Sequence, residues 1–161
     1  MTTRADAVLG LGNVLMGDDG FGPAVVRELR ERRSLPDGVE ALDLGTPGLD
    51  LAEYLVGRER VILVDTVLLP EPPGSVWVLD EDALLASGPV PRATAHQPAL
   101  AETLNRCRLA GAGPARLWLV GAVPRRLAPG TSLTPELRRA VPVACRRVLE
   151  RLARRAGGTA S

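Results

Sequence analysis

Val61–Val64 is an unbroken aliphatic run, closed by a carboxylate at Asp65. A strand with no polar alternation is one covered on both faces, which demands helices above and below the sheet that contains it. The rest of the chain supplies that arrangement. Short β-rich runs at Ala7–Leu11, Val39–Leu44, Val76–Leu79 and Leu117–Val120 alternate with helical patterns, the signature of a layered α/β fold. The spacing predicts helices over Gly20–Arg32, with Pro23 in the first turn, over Leu49–Val56, and over Pro98–Leu109. A short helical turn fits Asp80–Ala86, and Gly88–Pro91 and Pro124–Ser132 read as loops. The last helix is expected over Pro135–Arg155, with Pro142 kinking or breaking it.

At 161 residues the chain has the length of one domain, and no repeat or linker divides residues 1–161. Apolar residues at 45% and charged residues at 24% are ordinary globular values, which exclude a disordered chain. Aromatics are only 2%, so the core must be built from Val, Leu and Ala. A formal charge of +1 argues against a nucleic-acid binder. All 20 basic residues are Arg, which removes lysine-based Schiff-base and P-loop chemistry. Cys107 and Cys145 have neither metal-ligand spacing nor a disulfide framework. No signal peptide and no apolar run of membrane-spanning length is evident, so the expectation is a cytoplasmic protein without membrane contact. A monomer is expected, since no apolar stripe is left over after the core. The final helix carries Arg138, Arg139, Arg146, Arg147, Arg151, Arg154 and Arg155 opposite Val141, Val148, Leu149 and Leu152. A solvated face is the ordinary reading, and a docking patch for an acidic partner is the secondary one.

The most informative stretch is Leu9–Gly22, LGLGNVLMGDDGFG. It starts as a strand, breaks at Gly10, Gly12 and Asn13, and sets Asp18 and Asp19 just before a helix. A dinucleotide-binding reading fails, because the third glycine of that pattern would fall at Leu15. The bland reading of Asp18 and Asp19 is helix capping and compensation of the helix dipole. Asp65 and His96 shift that balance. In open α/β sheets, ligands bind beyond the carboxyl ends of strands, where strand order reverses. If strands one and three are neighbours, Asp65 and the loop bearing Asp19 meet there. His96, the one histidine, opens a helix after the fourth strand and can reach the same rim. Two carboxylates and an imidazole suit a divalent ion such as Zn²⁺ or Ni²⁺ and leave positions open for water or substrate. Spacing alone leaves their convergence open.

At these residues the chain resembles the hydrogenase maturation proteases, endopeptidases that trim the large subunit of nickel–iron hydrogenases. Val8–Gly22 is similar to that family's opening signature of strand, glycine–asparagine turn and acidic pair. Further matches follow in order: the segment Asp43 to Gly48 (DLGTPG), Val64 and Asp65, His96 and Gln97, Val120 to Pro124 (VGAVP), and Leu133 to Leu137 (LTPEL). The resemblance implies a three-layer α/β/α sandwich around a twisted, mostly parallel five-stranded sheet. It implies a metal-binding and catalytic triad at Asp19, Asp65 and His96, the first of these being often Glu in the family. The activity implied is a single cut that removes the C-terminal extension of the large-subunit precursor after nickel insertion. The resemblance further implies that the nickel is held by the precursor, so that the triad reads the metal as much as it hydrolyses, with Zn²⁺ or another divalent ion expected to be able to occupy it in vitro. A ligated metal polarises the scissile carbonyl, and with the one histidine so assigned no Ser-His-Asp set remains. Asp18 is a base or, preferentially, a cap. Gly45, Thr46 and Gly48 are expected to bind substrate by shaping the cleft wall through close backbone approach. Two other readings keep the same residues: a general metal-dependent amidase or peptidase, and a non-enzymatic nickel-binding chaperone.

Overall fold

The computed structural model describes residues 4–32, 34–46, 50–86 and 97–154, the side chains of 97–99 excepted. Five strands form one sheet: β1 (Asp6–Leu11), β2 (Val39–Gly45), β3 (Arg60–Thr66), β4 (Val76–Asp80) and β5 (Arg116–Ala122). Their spatial order is β2-β1-β3-β5-β4. β1 pairs in parallel with β2 and β3, and β3 in parallel with β5. Only β4 is antiparallel, along the outer side of β5. Strand order therefore reverses between β1 and β3, which lie side by side.

Among the described residues five α-helices cover the sheet: α1 (Phe21–Glu31), α2 (Leu51–Leu55), α3 (Glu81–Leu85), α4 (Gln97–Leu109) and α5 (Pro135–Ala153). The period-two alternation of each strand divides its side chains between two cores. Val8, Ile62, Val64 and Val120 face α1 and α5, meeting Phe21, Val25, Leu29, Ala144 and Val148. Leu9, Val61, Leu63 and Leu119 face the other way, against Leu51, Leu55, Leu84, Leu100 and Leu104 of α2, α3 and α4. Each fully buried aliphatic side chain contributes about 1.5–3 kcal/mol, and β1 and β3 bury them on both faces. This is the three-layer α/β/α sandwich that the family resemblance implies, with the run at Val61–Val64 covered on both faces as its pattern requires.

Some boundaries and one helix differ from expectation. β3 runs on through Asp65 to Thr66, so Asp65 lies inside the strand as its penultimate residue. The C-terminal helix is not broken at Pro142: α5 is one helix of 19 residues. Pro142 sits on the solvent face, where the carbonyl of Arg138 that loses its amide partner lies on an exposed turn open to water. The buried positions Leu137, Ala140, Ala144, Cys145, Val148 and Leu152 keep one stripe on either side of it. Among the α5 arginines, Arg147 pairs with Glu150, and the Arg151 guanidinium lies over the Trp118 ring at 5.8 Å. The proposed loop at Gly88–Pro91 and the last residue of the expected helix, Arg155, lie outside the described residues. Among the described residues no helix is long and apolar enough to cross a membrane.

Candidate functional site

The crevice at the reversal is built by chain that cannot tolerate side chains. Gly12 leaves β1 with φ of 130°, and a Cβ there would lie 1.8 Å from the carbonyl oxygen of Asp19. At Gly22 a Cβ would meet the carbonyl oxygens of Leu11 at 2.3 Å and Val64 at 2.4 Å. The start of α1 is thus pressed against the carboxyl ends of β1 and β3. Between the end of β1 and α1 the chain makes a short 3₁₀ helix, Gly17–Gly20, which carries Asp18 and Asp19 and lies against β3.

Asp19 is 9% exposed, and its Oδ2 accepts the backbone N–H of Asn13 at 2.7 Å. Asn13 in turn uses its side-chain oxygen to accept from the N–H of Leu15 at 2.9 Å, closing the loop on itself. Asp65 is fully buried, and its Oδ1 accepts the N–H of Thr66 at 2.8 Å. The two carboxylates therefore stand at the same end of adjacent strands, one in the 3₁₀ helix after β1, which lies against β3, and one at the end of β3 itself. Burying carboxylates without partners is costly, and both are held by backbone donors.

The third expected ligand, His96, lies outside the described residues, as does Gly48. Among the described residues no three His, Cys, Asp or Glu side chains are grouped to hold a metal ion. His96 directly precedes Gln97, the first residue of α4. The helix ends at Leu109, shortly before β5 begins at Arg116, so its thirteen residues run back about 20 Å toward the carboxyl edge of the sheet. By strand alternation Asp65 belongs to the face that α4 covers, with Val61 and Leu63.

Neither aspartate caps a helix. The N-cap of the 3₁₀ helix is Met16 and that of α1 is Gly20, both without side-chain caps. Asp18, fully buried, turns instead to the loop between β5 and α5. Its Oδ2 accepts the N–H groups of Arg125 at 2.9 Å and Arg126 at 3.0 Å. Its Oδ1 accepts the N–H of Thr134 at 2.7 Å, and the Thr134 hydroxyl donates to the same carboxylate. All of these partners are donors within the fold, so Asp18 is a clamp. Sequence reasoning missed this because nothing near Asp18 in the chain announces partners more than a hundred residues away.

Gly45 has φ of 59°, and nothing lies within 4 Å of a Cβ built there. Its glycine therefore answers a left-handed backbone conformation, and among the described residues no protein atom fills the space a side chain would take. The Gly45 carbonyl accepts the N–H of Gly12 at 2.8 Å, tying the end of β2 to the turn that leads to Asp19. Thr46 is exposed beside it.

Comparison with known proteins agrees with this architecture. The family model described as hydrogenase maturation protease matches residues 23–151. The chain is 35% identical over 146 residues to the hydrogenase 2 maturation protease of Escherichia coli strain K12, covering 90% of this chain and 88% of that one. It is 36% identical over 132 residues to the hydrogenase expression/formation protein HupD of Bradyrhizobium diazoefficiens, covering 81% of this chain and 69% of that one. Among solved structures, the hydrogenase maturating endopeptidase HybD from Escherichia coli superposes with a TM-score of 0.80 at 32% identity over 92% of each chain. The NiFe hydrogenase maturation protease HybD from Thermococcus kodakarensis gives 0.74 at 27% identity, covering 94% of this chain and all of that one. With this fold, this crevice and these relatives, the chain belongs to the hydrogenase maturation proteases, a family of endopeptidases.

Proposed function

We propose that this endopeptidase removes the C-terminal extension of a nickel–iron hydrogenase large-subunit precursor once nickel has been inserted. Asp19, Asp65 and His96 engage the metal. The observation that supports the reading is that β1 and β3 are neighbours where strand order reverses, with the segment bearing Asp19 following β1 and Asp65 at the end of β3. The donor chemistry fits: carboxylate oxygens with an imidazole suit a borderline divalent ion. A divalent ion at these groups supplies Lewis acidity toward the scissile carbonyl. The chain's own part is positional. The Asn13 amide fixes one oxygen of Asp19, the Thr66 amide fixes one oxygen of Asp65, and the turn at Gly12 lets the Asp19 backbone lie close against the end of β1. Gly45 and Thr46, with Gly48, are assigned to substrate binding. The metal is part of the substrate in this reading, so the protease distinguishes loaded from empty precursor by requiring it.

Mass spectrometry of the precursor before and after incubation tests this. Loss of one C-terminal peptide from nickel-loaded but not nickel-free precursor is expected. Asp19→Asn and Asp65→Asn should each lower the cleavage rate by at least about 100-fold, a size typical of lost catalytic groups. Circular dichroism should be unchanged in both. Undiminished cleavage by both variants removes the site assignment. Binding without cleavage of a loaded cognate precursor turns the reading to a nickel-dependent chaperone.

A further inference from the structure

Beside the 3₁₀ helix that carries Asp18 and Asp19, the surface holds a hollow of about 270 Å³. Gly17 and Gly20 form one wall, Arg27 of α1 a second, and Thr131, Ser132 and Arg138 the third. No carboxylate lines it. Among the described residues neither Arg27 nor Arg138 has an ion pair or a side-chain hydrogen bond, although most acidic groups nearby in sequence are engaged. Glu28, next to Arg27, pairs with Arg32, and Glu136, near Arg138, pairs with Arg125 at 3.3 Å. Arg27 and Arg138 therefore border one small hollow with two hydroxyl-bearing residues and no carboxylate in its lining, while Arg27 also borders the adjoining hollow that holds Glu31 and Asp43. Guanidinium forks match the geometry of carboxylates and bind them more strongly than neutral acceptors. The lip is apolar: Val14 is 52% exposed and its neighbour Leu15 is 61% exposed.

We propose that this hollow is a specificity subsite for a carboxylate of the precursor, with the apolar lip taking the flanking residues. The carboxylate is either an Asp or Glu side chain near the cut bond or the C-terminal carboxylate of the extension. The inference rests on the maturation reading above and names what the substrate presents beside the cleavage site. Its role is recognition, so Arg27 and Arg138 contribute to binding and not to the chemical step.

The test is cleavage and binding of nickel-loaded precursor by the wild-type chain and by Arg27→Ala, Arg138→Ala and the double variant. Both side chains are exposed, so folding should be preserved. Each single variant should raise KM about 5- to 10-fold with kcat within about 2-fold, in line with loss of a charged hydrogen bond. High salt should raise the wild-type KM toward that of the double variant. Two substrate arms separate the sources. Rescue of the wild-type and double-variant difference to zero by Asp→Asn and Glu→Gln changes in the precursor assigns a side chain. The same rescue by C-terminal amidation alone assigns the chain end. An unchanged KM in the double variant overturns the subsite while leaving the maturation reading intact. A wild-type chain that leaves the precursor uncut has failed the maturation reading. The dissociation constant for the precursor still reads the subsite there: a weaker double variant keeps it, and equal or absent binding overturns it.

Discussion

Thr134 is held through both its backbone N–H and its hydroxyl by one carboxylate, that of Asp18, at 2.7 and 2.9 Å across 116 residues of chain. Thr134 is also the N-cap position of α5, so this contact fixes where the last helix starts relative to the turn that carries Asp19. Because Asp18 and Asp19 are consecutive, the carboxylate that secures the loop also restrains its neighbour, which holds the Asn13 turn.

Replacing Asp18 should therefore be expensive for stability. Asp18→Ala leaves the buried acceptor's partners at Arg125, Arg126 and Thr134 without it, and each orphaned donor costs about 1–3 kcal/mol if water does not reach it. A total loss of about 3 kcal/mol is expected, a fall in Tm on the order of 6–12 °C for a chain of this length. Thermal unfolding checks it. Asp18→Asn should recover only part of the loss, since its amide group faces donors. A Tm within about 2 °C of wild type for Asp18→Ala would show that the clamp contributes nothing.

Gly12 and Gly45 both have positive φ but should respond differently to alanine. At Gly45 the cost is conformational alone, about 1–2 kcal/mol, because a Cβ meets nothing. At Gly12 the Cβ would sit 1.8 Å from the Asp19 carbonyl oxygen, and backbone has to move. Gly12→Ala should lose several kcal/mol or cleave far more slowly than its remaining stability explains, because the displaced atom belongs to Asp19. Urea unfolding in parallel with precursor cleavage distinguishes the two variants. Equal losses in both assays would argue that the close approach has no consequence.

Cys145 gives the pH dependence. Burial, reinforced by the nearby Glu28, pushes its thiol up from 9.0 to about 11. The folded chain therefore keeps this proton through a range where the unfolded chain has released it. Stability from this group is complete below pH 9 and declines as pH rises from about 9 to about 11. Cys145→Ala should flatten that alkaline limb while costing some packing at neutral pH, read from urea unfolding at a series of pH values. An alkaline limb identical in both proteins would remove the assignment to Cys145. The same burial should make the thiol slow toward alkylating reagents in the folded state.

Much of the architecture is legible in the chain because apolar periodicity is a local property. Val61–Val64 announces a doubly covered strand, and the stripe Val25, Val26 and Leu29 announces α1, since each pattern is set by where neighbouring side chains point. The crevice was legible only conditionally. Asp19 and Asp65 stand as isolated carboxylates until β1 and β3 are known to be neighbours. Pro142 misled for the opposite reason. Local propensity predicts a defect there, but the stripe of buried residues on both sides and an exposed turn at Arg138 let tertiary packing carry the helix through.

The sequence by itself determined the layers, the strands and the candidate carboxylates, because burial pattern, turn residues and charge are written along the chain. Only the tertiary structure decided what those carboxylates do. Asp18 looks like a twin of Asp19, yet it is spent on Thr134, Arg125 and Arg126, while Asp19 keeps to the loop at Asn13 beside β3. The physical reason is that a carboxylate's role follows from the donors that surround it, and here those donors come from backbone brought together across the whole fold.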